Sequence, residues 1–214
     1  MAQRSKGEET RAAILDTAVD LASAEGLEGL TIGRLAKTLN MSKSGLFGHF
    51  GSKEDLQLAT VRAARRIFIR EVILPTQESA VGLPRLWALC DAWLSYLERG
   101  VFRGGCFFFA VSAEFDNRPG AVRDAIAANM HEWLDYLAQL VGDAQERGEI
   151  TTDLDPNQIA FELHAYHLNA NWTMQLFGDE QAANRARLAI LGRLYSLSTD
   201  PERFLPAKAQ YPVA

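Results

Sequence analysis

Cysteine is scarce in this chain: Cys90 and Cys106 are the only two among 214 residues. Two thiols cannot make a disulfide framework or a cysteine metal site, and both lie in apolar stretches, so buried free thiols are expected. Long apolar runs are missing too. Nothing approaches the roughly eighteen consecutive apolar residues that a membrane span needs. The stretch from Met1 to Glu9 is polar where a signal peptide would carry an apolar core. A soluble, cytoplasmic protein with no membrane partner is the expectation. Positive charge is also short, since 22 Lys and Arg stand against 27 Asp and Glu, for a net charge of −5. That balance argues against a broad basic surface that coats nucleic acid, so any DNA contact must come from a local patch.

Signatures of catalysis are lacking as well. There is no nucleophile motif, no glycine-rich phosphate loop and no carboxylate pair in recognisable context, so neither an enzyme activity nor a cofactor is assigned. His164 and His167 lie three apart and would share a helix face, which is the spacing of a chelating pair. No third ligand is near in sequence, and no metal site is assigned.

What is present is helix. Apolar residues make up 48% of the chain, enough for a core, and they recur at helical rather than alternating spacing. The expected fold is all-α, with about nine helices. Ile14, Ala18, Leu21 and Ala22 share one face of a first helix, and Gly26 stands where a C-terminal glycine cap belongs. Thr31 can cap a short second helix whose Ile32, Leu35, Ala36 and Leu39 face a core. Asn40 and Met41 form a turn, and Ser42 can cap a third short helix, expected over 42–49, with Leu46 and Phe50 turned inward. A fourth runs from Lys53 toward Pro75 and carries Arg62, Arg65, Arg66 and Arg70. Five more are expected at roughly 84–99, 105–115, 119–147, 156–177 and 180–198, with Pro84, Pro119 and Pro156 suited to first turns. The tail from Thr199, with three prolines, is expected to be extended or disordered.

One local patch stands out. Residues 29–53 contain Arg34, Lys37, Lys43 and Lys53 and no acid, although Glu28 and Glu54 lie just outside. Within it, Leu30 to Lys37, Met41 to Phe50 and Ser52 to Leu56 closely resemble the DNA-binding domain of the TetR family of repressors. The resemblance covers about residues 8–68, and it rests on the whole order: a capped entry at Thr31, a Leu-aromatic-x-His-Phe ending, and a lysine two residues past glycine. It implies an N-terminal three-helix domain at 8–68, with the helix-turn-helix at 31–50 on double-stranded operator DNA. A helical effector-binding and dimerisation domain would follow at 69–200, and then the tail at 201–214. The expected DNA-facing set is Thr31, Ser42, Lys43, Ser44, Gly45, Phe47, His49 and Lys53. Lys43 and Ser44 would reach base edges, whereas Thr31, Phe47, His49 and Lys53 match positions that mainly touch phosphates. A solvated lysine and a simple helix cap are the plainer readings of Lys43 and Thr31. Gly45 and Gly48 both fall in the expected recognition helix and depart from the usual pattern, Gly48 at a position where the resemblance implies a large side chain; each interior glycine weakens a helix by roughly 1 kcal/mol against alanine.

The C-terminal part carries further expectations. In helix 156–177, Ile159, Leu163, Tyr166, Ala170, Met174 and Phe177 make one apolar stripe, and Phe161, Ala165, Leu168, Trp172 and Leu176 make a second. Two apolar faces suggest that this helix and 180–198 pair with a second copy of the chain as a four-helix bundle, unless one subunit covers both faces itself. Gly104 to Phe109, with Glu114 to Gly120, resembles the regulatory domain of one TetR-family subgroup. A largely apolar pocket for an unidentified small-molecule effector is expected from Trp93, Tyr96, Phe107, Phe108, Met130, Trp133 and Trp172, with His131, His164 and Asn171 as polar groups. The alternative is a helical small-molecule carrier, or an enzyme, without DNA binding.

Overall fold

The computed structural model describes residues 6–212. Met1–Ser5, on which part of the signal-peptide reading rests, and Val213–Ala214 lie outside the described residues. Ten α-helices follow one another: α1 (Lys6–Glu25), α2 (Ile32–Leu39), α3 (Lys43–Phe47), α4 (Lys53–Phe68), α5 (Leu83–Glu98), α6 (Phe107–Phe115), α7 (Ala121–Glu146), α8 (Pro156–Phe177), α9 (Ala182–Leu197) and α10 (Pro201–Phe204). Among the described residues the only β-type pairing is an isolated bridge between Ile150 and Ser198. The all-α expectation holds. No described helix is long and apolar enough to cross a membrane.

Three elements depart from expectation, two for local reasons and one through distant contacts. The recognition helix is shorter than 42–49: Gly48 becomes its C-cap, and His49 N–H turns back to the Leu46 carbonyl at 3.0 Å. Gly48 is therefore not an interior glycine. The fourth helix does not reach Pro75 in α form. It widens into a π turn at Ile69–Ile73, where Leu74 N–H bonds the Ile69 carbonyl, and then tightens into a 3-10 turn at Leu74–Glu78. Proline has no N–H for the i→i−4 ladder, so the helix must change its bonding before it. The tail is not disordered through its described part. Pro201 starts α10, Leu205 is buried, and Tyr211 packs edge-on against Trp87 at 5.6 Å and lies over the Arg187 guanidinium.

Compactness does not follow chain order. The described residues up to Ile67 group with Phe102–Asn129, and Phe68–Val101 groups with the described residues from Met130 onward. In the first unit α6 packs along α1. Its approach segment comes so close that a Cβ on Gly104 would stand 2.0 Å from the Ser23 carbonyl oxygen, so only glycine fits. Arg103 pairs with Asp20 at 2.6 Å beside it. The second unit is built on α5, α8 and α9. Arg187 of α9 is buried there and bonds Asp91, Ser95 and Glu98 of α5 at 2.6–3.1 Å. Glu149, also buried, accepts from Leu83 N–H at 2.6 Å and closes the start of α5.

Candidate nucleic-acid interface

The helix-turn-helix is assembled from caps and a small core. Thr31 Oγ1 accepts from Arg34 N–H at 3.1 Å and starts α2, whose Ile32, Leu35 and Ala36 are buried. Asn40 ends it in the left-handed region at φ 53°, with its N–H and that of Met41 bonded to carbonyls of the last turn. Ser42 Oγ accepts from Gly45 N–H at 3.1 Å and starts α3. A Cβ on Gly45 would sit 3.1 Å from that same hydroxyl, which gives this glycine a packing reason. Leu46 and Phe50 are fully buried and hold α3 against the domain.

The opposite side of α3 faces solvent. Ser42, Lys43, Ser44, Gly45 and Phe47 are all exposed, Phe47 at 54%, while His49 is half-buried. Phe47 thus sets an apolar ring on the same short helix as the Lys43 amine and the Ser42 and Ser44 hydroxyls. Lys43 lies along α2: its Cε and Nζ stand 3.4 and 3.7 Å from where a Cβ on Gly33 would be. Thr31 and Lys53 are exposed too, at the N-terminal ends of α2 and α4. Ser52 caps α4 by accepting from Asp55 N–H at 3.0 Å. Thr31, Ser42 to Gly45 and Lys53 thus stand at three helix N-termini, which offer N–H groups and short polar side chains to phosphate, while Phe47 ends α3 and His49 follows its C-cap.

Residues not expected from sequence complete the electrostatics. Glu25 takes both Arg34 Nε and Nη2, at 3.0 and 2.6 Å, and Glu28 takes Lys53 Nζ at 2.6 Å. Glu28 borders the basic window in sequence and Glu25 lies further back, and only the fold brings the two onto its cations. Glu114, from α6, accepts Leu27 N–H at 2.7 Å and Glu28 N–H at 2.9 Å and so pins the loop between α1 and α2. Nothing in the sequence signals a partner 86 or 87 residues away.

The expected effector residues are scattered. Phe107 and Phe108 are buried in α6 within the first unit, their rings edge-on at 5.3 Å. Trp93, Tyr96, Met130, Trp133, His164 and Asn171 belong to the second unit, and all but half-buried Met130 and His164 are buried. His131 is exposed on α7 and Trp172 is 46% exposed on α8, so neither faces the interior, because each sits a step off its helix's buried stripe. His167, singled out earlier only as half of a chelating pair, is fully buried instead. Its ring lies 4.7 Å from Trp93 and 6.2 Å from Trp133, and no group of three metal-ligating side chains forms among the described residues.

Partners settle the tautomers. His167 Nε2 is 3.2 Å from the Cys90 carbonyl, which can only accept, so Nε2 carries the proton and Nδ1 is a bare acceptor, buried without a hydrogen-bond partner. The Trp133 indole N–H donates to His164 Nδ1 at 3.1 Å, so His164 is likewise a neutral acceptor there. Burial pushes the imidazoles down to about 4 for His164 and about 3 for His167, and the neighbouring His164 adds to the second shift. Burial also pushes both thiols up, Cys106 to about 11, as expected of buried free cysteines.

A capped helix pair that presents an exposed short helix over a basic window defines a helix-turn-helix DNA-binding protein. Residues 14–60 match the family model of bacterial regulatory proteins of the tetR family, and residues 82–190 match the tetracyclin repressor-like C-terminal domain. The chain belongs to the TetR family of transcriptional regulators. It is 26% identical over 137 residues to the transcriptional regulator AcuR of Cereibacter sphaeroides, spanning 64% of this chain and 63% of that protein. A TetR transcriptional regulator from Chloroflexus aurantiacus has a crystal structure that superposes with a TM-score of 0.82 at 25% identity, covering 90% of this chain and 98% of that one. The crystal structure of AibR with isovaleryl coenzyme A and operator DNA superposes with a TM-score of 0.66 at 26% identity, covering 88% and 98%. The named relatives are regulators of transcription, not enzymes.

Proposed function

We propose that this chain is a cytoplasmic, effector-released repressor that binds a roughly palindromic operator as a homodimer. One observation carries the DNA-binding half: α3 stands on buried Leu46 and Phe50 with Lys43 and Ser44 exposed at its capped N-terminal end. Recognition helices of this geometry read base edges from their N-terminal residues. Lys43 and Ser44 read bases in this account; Thr31, Ser42, Gly45, Phe47, His49 and Lys53 hold the backbone. The functional division runs at residue 68, with DNA recognition in 8–68 and effector binding and dimerisation in 69–200. Repression, rather than activation, follows the family resemblance.

Dimerisation is supported by α8 and α9. Phe161, Leu176 and Phe177 are 60–67% exposed along α8, and the two helices leave a groove of about 220 Å³ lined by four alanines, among them Ala186 and Ala189, together with Tyr166, Asn169, Thr173 and Arg185. Large exposed apolar side chains beside a small-residue groove suit a four-helix bundle with a second copy. For the effector, the two imidazoles beside Trp93 and Trp133 are neutral, and His167 Nδ1 is an unsatisfied acceptor. That chemistry suits an uncharged, largely apolar molecule with one hydrogen-bond donor, and disfavours a carboxylate.

Fluorescence-anisotropy titration of duplexes tiled across the gene's own upstream DNA tests the reading. One duplex should bind at least about a thousandfold tighter than scrambled sequence at physiological salt. Uniform affinity across all duplexes would remove the operator claim.

A further inference from the structure

The interface meets DNA with some of its cations already engaged. Lys53 Nζ lies 2.6 Å from Glu28 Oε1, and both side chains are 42–44% exposed, so the pair sits where phosphate would arrive. Glu28 is not a wandering surface acid. Glu114 of α6 holds its backbone N–H at 2.9 Å, Gln57 of α4 reaches its other carboxylate oxygen at 3.4 Å, and Arg118 stands 3.7 Å away. The Lys53 hydrogen bond, against some desolvation, keeps the carboxyl below its usual range, so it is ionised at any working pH.

A lysine cannot give its full charge to a carboxylate and to a phosphate at once. We propose that Glu28, fixed by Glu114 through the loop between α1 and α2, competes with DNA phosphate for Lys53 and thereby restrains DNA affinity without touching sequence preference. The inference rests on Lys53 as a phosphate contact. Because phosphate contacts are sequence-independent, the restraint acts equally on specific and non-specific DNA. It also places α6 two hydrogen bonds from a DNA-facing cation: movement of Glu114 shifts the loop, and the loop carries Glu28.

Anisotropy titration of a fluorescent random-sequence duplex at about 50 mM and 200 mM salt, with melting curves as a fold check, tests this on the full chain. Glu28→Gln keeps the side chain's size and the backbone bond to Glu114 but not the charge. It should bind the duplex roughly two- to fivefold tighter than wild type at the lower salt, with a smaller gain at the higher. Lys53→Gln should bind more weakly, and in the Glu28→Gln/Lys53→Gln double variant most of the gain should vanish. An unchanged affinity for Glu28→Gln while Lys53→Gln is weakened overturns the competition alone. So does an equal gain with and without Lys53, which would be a general charge effect. If Lys53→Gln binds like wild type, the phosphate contact itself is wrong and the competition falls with it.

Discussion

His167 shows how one buried atom carries consequences for stability. In the fold, burial holds His167 and His164 neutral, at about 3 and about 4, whereas in an unfolded chain both protonate near 6.5. Below that pH the unfolded state binds more protons, so stability is full above about 6.5 and falls as pH drops toward those folded values. Melting temperature should decline from roughly pH 7 to pH 5, and His167→Phe should flatten the decline. A slope unchanged in His167→Phe would show that other groups drive it. Arg187 makes a second residue-scale case. It is buried, but its partners Asp91 and Glu98 are more than a third exposed, so Arg187→Met should cost only about 2 kcal/mol in urea unfolding. The direction of these effects follows from neighbours that sequence spacing cannot supply. His164 and His167 were legible as sharing a face; that Cys90 and Trp133 would take up their nitrogens was not.

At the scale of elements, the prolines, glycines and caps marked most boundaries in advance. Thr31, Ser42 and Asp155 cap the helices they precede, because local side-chain bonds need no distant partner. The misjudged elements were those decided at a distance or by competing bonding. The tail's prolines suggested disorder, yet Leu205 and Tyr211 find sites on the second unit. The grouping of α6 with α1 depends on Gly104, Arg103 and Glu114, whose partners lie about 80 residues upstream or more. Gly104→Ala should force backbones apart where a Cβ has only 2.0 Å, and should destabilise by about 3 kcal/mol in chemical denaturation. A loss below about 0.5 kcal/mol would mean that the α1–α6 contact yields easily.

At the scale of the whole molecule, a two-fold operator requires two copies of the chain. The second stripe of α8 was legible from sequence as an apolar face without an obvious partner, and Phe161 and Leu176 are exposed in the isolated chain. Light scattering should give a mass near twice 23.7 kDa, and Leu176→Asp should shift it toward the monomer by placing a charge in an apolar interface. A wild-type monomer at micromolar concentration would undo the interface and the two-fold operator together. Which molecule releases the protein from DNA was not legible, because the candidate aromatic residues divide between two compact units and, of the candidate polar groups, His131 is exposed on α7.

Titrating Lys43→Ala against the identified operator and against scrambled DNA at two salt concentrations decides whether α3 reads DNA sequence through Lys43. A base-reading Lys43 gives a loss on the order of 1–3 kcal/mol on the operator, a much smaller loss on scrambled DNA, and relaxed preference at one base pair in each half-site. Equal losses on both DNAs would contradict it and reduce Lys43 to another phosphate contact.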